Sequence, residues 1–245
     1  MMRCPFWNHE SYVTYIVRNM SRGQDNVFLY EGEEGSGKSN GAIWDAKRIH
    51  ERLGKVFDVR NDPIFNRKQW DERFEHGEKQ RVYELDEFEN IAFSRDFNKA
   101  DNKGFVKLIQ QARILRSTLI CVMPYFQFAD VYFRQGRFRV RVHFERVTDF
   151  DVYCKVCTMK HEVREATYYW RQRTEDMTTG QVTMGWREVF TARHCPLAAV
   201  EPEAWNGYEE RKERSVRETI LKRRADVAEE TELLEEAVLP RHRKG

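Results

Sequence analysis

The chain has 245 residues, with 42 Lys and Arg against 40 Asp and Glu, so its formal net charge is only +2. A hydrophobic fraction of 40% with 13% aromatics supplies enough apolar surface for a core and excludes wholesale disorder. Charged residues make up 33%, and the longest uncharged run, residues 117–129, falls short of the ~20 apolar residues of a membrane helix. The first ten residues meet charge before any apolar run of leader length, and five cysteines, an odd number, do not make a disulfide framework. The expectation is a cytoplasmic protein in a reducing setting, without stable membrane insertion.

Residues 1–146 alternate short apolar runs with helix-length segments. Residues 27–30 read as a strand, Ala42, Ile43, Ala46, Ile49 and Leu53 follow at helical spacing, and Val56, Phe57 and Val59 form an extended run. A second short run, 82–85, precedes a helix with Phe105, Leu108, Ile109, Ala112 and Leu115 on one face, and 117–123 is a further apolar strand. That rhythm predicts an α/β fold with a mostly parallel central sheet covered by helices. From residue 138 the period becomes two: Phe138, Val140, Val142 and Phe144 alternate with Arg139, Arg141, His143 and Glu145. Residues 167–173 and 181–190 read as two strands around a loop, so 147–200 is expected to be a β-rich extension. Residues 201–245 read as a charged C-terminal helix and basic tail.

The most informative segment is 27–39, where an apolar strand runs into Gly32, Glu33, Glu34, Gly35, Ser36, Gly37, Lys38 and Ser39. This is GxxxxGKS. A strand delivers the loop, the glycines let backbone N–H groups turn inward as an anion nest, and a helix beginning at Lys38 aims its positive end at phosphate. Gly32, Gly35, Ser36, Gly37, Lys38, Ser39 and Asn40 are the expected nucleotide-binding residues, with Lys38 on the β- and γ-phosphates and Ser39 on Mg²⁺. The strand 82–85 ends in Asp86 and Glu87, carboxylates placed where open α/β sheets bind ligands. Asp86 is expected to hold the Mg²⁺ shell and Glu87 to act as general base on the attacking water. Glu84 interrupts the apolar run of that strand. These features describe a Mg²⁺-dependent, ATP-hydrolysing P-loop NTPase of the additional-strand, catalytic-glutamate type. Residues 55–60 and the helix-like 69–74 fill the place of the further strand and helix. Arg95, Arg113 and Arg116 keep a P-loop kinase as an alternative.

Past Glu87, the order Ser94, Arg95, Asn102, Lys103, a helix ending in Gln111, Ala112 and Arg113, then 119–123, Pro124, Gln127 and 130–134 resembles FtsK/HerA-superfamily ATPases. More narrowly it resembles Zot-like phage morphogenesis proteins and the genome-packaging ATPases of tailless, internal-membrane viruses. The resemblance covers about residues 27–146. It implies a polar sensor, for which Gln127 is the candidate, and a ring oligomer in which an arginine reaches into the neighbouring site, with Arg113, Arg116, Arg134 and Arg137 as candidates. It further implies double-stranded DNA and capsid or membrane-vertex proteins as partners, hence a DNA translocation motor packaging a viral genome, the alternatives being a Zot-like morphogenesis ATPase or a monomeric kinase or regulatory nucleotide-binding module.

Other constellations compete with simpler readings. Arg137, Arg139, Arg141 and His143 share one face of the 138–145 strand and could follow a DNA backbone or form a solvated face. Cys154 and Cys157 form CxxC, with His161, His194 and Cys195 further on. A continuous strand over 151–159 would point the two cysteines to opposite faces, so packing is expected ahead of metal binding. Trp170 and Trp186 are expected to pack across facing strands.

Overall fold

The computed structural model describes residues 6–88, 112–129, 133–148, 150–155, 157–175 and 182–238. The chain opens with α1 (His9–Ser21), which sequence periodicity did not single out. Its start is specified locally: Asn8 caps the helix through Ser11 N–H, and the Ser11 hydroxyl closes a reciprocal capping box. Then come β1 (Asn26–Gly32), α2 (Lys38–Arg52), α3 (Arg67–Glu75), β2 (Val82–Leu85) and β3 (Thr118–Val122). A 3₁₀ turn (Phe126–Phe128) and a π-helical turn (Phe133–Arg137) lead to β4 (Val140–Arg146). The short hairpin β5 (Val152–Tyr153) and β6 (Lys160–His161) precedes the long hairpin β7 (Arg164–Glu175) and β8 (Val182–His194). Two helices close the chain, α4 (Leu197–Val200) and α5 (Pro202–Val238).

Six strands form one sheet in the order β2-β3-β1-β4-β7-β8. The first four are parallel, whereas β7 and β8 are antiparallel to β4 and to each other. The β-rich extension is therefore the antiparallel flank of the central sheet. Side chains alternate across it as the strand period requires. Phe28, Tyr30, Ile120 and Val142 face a core completed by Tyr12 and Ile16 of α1 and Ile43 and Ile49 of α2. Leu29, Leu119 and Cys121 face a second core with Trp70, Phe133 and Phe138.

Several expectations are corrected. Residues 55–60 are not a strand. The Asp58 carboxylate accepts from Arg60 N–H and from the Asn61 side chain, a local turn that competes with extended pairing. Only Ile64 pairs there, in a single parallel bridge to Leu85. Trp170 and Trp186 lie on opposite faces of the sheet: Arg171 stands opposite Trp186, while its chain neighbour Trp170 stands opposite Arg187. The strand expected over 151–159 stops at Tyr153, so the alternation argument against shared ligation by Cys154 and Cys157 does not apply. The helix expected around Phe105 to Ile109, and Ser94, Arg95, Asn102, Lys103 and Gln111, lie outside the described residues.

Candidate nucleotide site

β1 delivers Gly32 to the carboxyl edge of the sheet. A Cβ there would stand 2.2 Å from the Phe144 carbonyl oxygen, so only glycine lets β1 approach β4 this closely. Gly35 (φ +74°) and Gly37 (φ +96°) then take left-handed conformations that other residues adopt at a cost. Gly37 is the N-cap of α2 and offers no side-chain hydrogen bond, so the backbone N–H groups of the first turn are left for an anion. Lys38 lies back over the loop, its Nζ donating to the Glu33 carbonyl at 2.8 Å.

The acidic strand meets this loop from two positions away in the sheet. The Ser39 hydroxyl donates to Asp86 Oδ1 at 3.0 Å, joining the first turn of α2 to the end of β2. Asp86 is buried, and its other oxygen accepts from the Tyr208 hydroxyl and, at 2.9 Å, from Lys212 Nζ, both on α5. Lys212 also reaches Glu87 Oε1 at 3.1 Å. Burial disfavours the Lys212 charge, but Asp86 and Glu87 outweigh it and hold the ammonium above its ordinary pKa. Burial first, and the Asp86 charge second, push the Tyr208 phenol well up. Glu87 itself sits at φ +54°, a conformation that a non-glycine residue holds only where its surroundings enforce it.

Loop, acids and α5 enclose a cleft of ≈ 620 Å³. Of the expected nucleotide- and metal-binding residues, Gly35, Gly37, Lys38, Ser39, Asp86 and Glu87 line it. Asn40 lines it too, but its side chain is committed elsewhere: Nδ2 donates to the Cys195 carbonyl and Oδ1 accepts from Leu197 N–H. Ser36 is buried with its hydroxyl unpartnered. Gly32 lies beneath the loop, its N–H donating to the Pro124 carbonyl at 3.1 Å.

The remaining predicted residues stand elsewhere. Gln127 is exposed on the 3₁₀ turn, and the cleft wall at the end of β3 is made by Val122, Met123 and Pro124. Arg113 and Arg116 precede Thr118, which pairs with Asn26 at the amino end of β1, the end away from the loop. Arg137 pairs with Asp25 at that same end, and the half-buried Arg134 lies in the turn leading into β4. None of the four arginines lines the cleft of its own chain. The basic stripe is also largely neutralised. Arg141 is paired with buried Glu31, His143 Nδ1 lies 3.4 Å from the same carboxylate, and only Arg139 of the set is exposed. Burial opposes the Glu31 charge, yet His143 and Arg141 hold its carboxyl below the usual range.

The site contains residues that sequence reasoning did not find. Arg164, the first residue of β7, lines the cleft, with its Cδ 2.9 Å from where a Cβ on Gly37 would be. Its Nε is buried without a hydrogen-bond partner, while Nη2 pairs with Glu162 at 3.2 Å. Trp205, Tyr208 and Lys212 come from α5 at i, i+3 and i+7, a helical spacing that could have marked them as one face.

No family model matches the chain, and no curated protein matches it. Among solved structures it is similar to the N-terminal domain of zonular occludens toxin from Neisseria meningitidis, at 12% identity and a TM-score of 0.36, over 68% of this chain and 95% of that one.

Proposed function

We propose that this chain is a P-loop nucleotide-binding protein that hydrolyses ATP with Mg²⁺. The observation that carries the reading is the hydrogen bond between Ser39 and Asp86, which brings the hydroxyl of GxxxxGKS and the carboxylate ending β2 to one point. A hydroxyl and a carboxylate converging over a helix N-terminus are the hard oxygen donors Mg²⁺ takes. The left-handed Gly35 and Gly37 and the uncapped first turn of α2 fit phosphate oxygens. Bound Mg²⁺ would neutralise charge on the transferring phosphoryl group. In this reading Lys38 and the loop N–H groups hold the phosphates, Ser39 and Asp86 hold the cation, and Glu87 accepts the proton of the attacking water. Arg164 adds a cationic side chain from the chain's own β7. Lys212 marks where positive charge is favoured beside Asp86, on the carboxylate oxygen away from Ser39.

Genome packaging is no part of this reading, because the basic stripe proposed to follow DNA is mostly paired with buried carboxylates. Ring assembly with a trans arginine stays a proposal, and Arg113, Arg116, Arg134 and Arg137 could serve only a neighbour's cleft. The test is phosphate release by the wild type, Glu87→Gln and Lys38→Ala, with and without double-stranded DNA. Glu87→Gln should keep nucleotide binding and abolish turnover, whereas Lys38→Ala should weaken both. Wild-type turnover by Glu87→Gln would remove Glu87 as the base, and stimulation by DNA would restore the nucleic-acid partner.

A further inference from the structure

We propose that Cys154, Cys157, His161 and Cys195 form a structural Zn²⁺ site that fixes the β5–β6 hairpin and the end of β8 beside the loop of GxxxxGKS. One ligand atom from each residue lies within 4.8 Å of all the others. The Sγ atoms of Cys154 and Cys195 are 3.5 Å apart, close to the ~3.8 Å edge of a tetrahedron with zinc–sulfur bonds of ~2.3 Å. His161 is prepared as a ligand. Its Nδ1 stands 2.8 Å from the Glu162 carbonyl, to which the protonated nitrogen donates, and its Nε2 is buried without a hydrogen-bond partner. A backbone carbonyl on one ring nitrogen is the usual way a metal-bound imidazole is oriented. The spacing, CxxC with His161 four residues after Cys157 and a distant third cysteine, suits three thiolates and one imidazole around zinc.

The hairpin also needs such a support. Its strands have two residues each, and Phe150, Val152, Tyr153 and Met159 are exposed, so it has little apolar core of its own. Thr158, directly after Cys157, is left-handed at φ +58°, which a β-branched residue tolerates only when held there. A metal bonded to four side chains supplies that constraint and converts its binding energy into folding energy.

The proposed site is joined to the cleft at two points. The Cys195 carbonyl accepts from Asn40 Nδ2 at 3.1 Å and from Trp44 Nε1 at 2.8 Å, both on α2. Glu162, next to His161, pairs with Arg164 and Arg146, whose side chains overlie Gly37 and Gly35. The metal thus sets the position of Arg164. The zinc assignment itself does not depend on the nucleotide reading.

The test is metal analysis of the full chain purified under reducing conditions without chelator, followed by cobalt substitution. One zinc per chain is expected, and the Co²⁺ form should show the visible bands of a tetrahedral ion with near-ultraviolet thiolate charge transfer. Cys157→Ala and His161→Ala should each lose the metal, Cys121→Ala should keep it, and His161→Cys should retain binding with a cobalt spectrum shifted by the fourth sulfur. Should the ligand variants fail to fold, the stoichiometry and cobalt spectrum of the wild type decide alone. A metal-free wild type that takes up neither Zn²⁺ nor Co²⁺, iron in place of zinc, or unchanged metal content in a soluble Cys157→Ala would overturn the proposal.

Discussion

Lys212 donates to Asp86 at 2.9 Å, so a lysine 126 residues further along the chain occupies the carboxylate on which the proposed Mg²⁺ site depends. Lys212 holds one oxygen of Asp86 and Ser39 the other, so an ammonium there repels a divalent cation placed on the same carboxylate, and the clasp made by α5 and metal binding compete through charge. Replacing Lys212 with Met removes the competitor and keeps the apolar stem. Mg²⁺ should then bind the nucleotide-loaded protein about tenfold more tightly, equivalent to ~1.4 kcal/mol. A magnesium titration monitored with a fluorescent nucleotide checks this, and weaker binding by Lys212→Met would show that the lysine supports the site instead.

Gly41 sits in the interior of α2, where alanine normally stabilises a helix by ~1 kcal/mol. Here a Cβ would meet the Phe144 ring at 2.2 Å and push α2 off β4. Gly41→Ala should therefore destabilise, by ~1–3 kcal/mol as overpacked cores do. Thermal unfolding measures the sign, and a raised Tm would mean that Phe144 can turn aside.

Glu84 explains the polar interruption in its strand. It is fully buried, and neither carboxylate oxygen has a hydrogen-bond partner. Burial first, and the nearby Asp86 charge second, raise its pKa well above the usual range. The folded state then binds a proton that the unfolded state releases above pH ~4.3, so stability falls as pH climbs from there toward the raised folded value. Glu84→Gln should remove that decline and raise stability at pH 7, by ~1.4 kcal/mol for each pH unit over which only the folded state holds the proton. Urea denaturation from pH 5 to 8 tests it. A wild-type profile that stays flat would contradict the assignment.

What was legible in the sequence was local. GxxxxGKS, the acids ending β2 and the alternation of β4 each carry their signal within a dozen residues, and the parallel core follows from them. The α1 helix was equally local, with Asn8 and Ser11 as a capping box before Tyr12, Ile16 and Met20, but its apolar residues are interleaved with polar ones and did not stand out. Lys212, Tyr208 and Arg164 were not legible as site residues. They reach the cleft through the docking of α5 and the pairing of β7 with β4. The convergence of Cys154 and Cys157 with His161 and Cys195 was not legible, because a turn begins after Tyr153 where the sequence suggests a continuous strand. Arg141 read as either a DNA contact or a solvated charge, because the buried charge of Glu31, 110 residues away, cannot be seen in its neighbours.

Asp45 anchors α1 to the rest of the fold, and its partner His9 makes that anchor pH-dependent. Asp45 is fully buried, accepts from the hydroxyls of Tyr30 and Tyr168, and pairs with His9 Nε2 at 2.5 Å. Burial opposes charge on His9, but Asp45 prevails and raises its pKa above 6.5. His194, whose ring centre stands 5.9 Å from that of His9, is pushed down to about 4 by burial and stays neutral at neutral pH, so His9 is the histidine that supplies the countercharge. Because the folded pKa of His9 is raised, its stabilisation is fully present below pH 6.5 and is lost as pH rises through the folded value. His9→Ala should therefore destabilise most at low pH, by ~3–5 kcal/mol where the carboxylate is left buried without its cation. The deficit relative to wild type should shrink steadily toward pH 9. Paired urea denaturations of wild type and His9→Ala at pH 5.5, 7 and 9 give that difference directly. A deficit that is constant with pH would mean that His9 contributes packing alone.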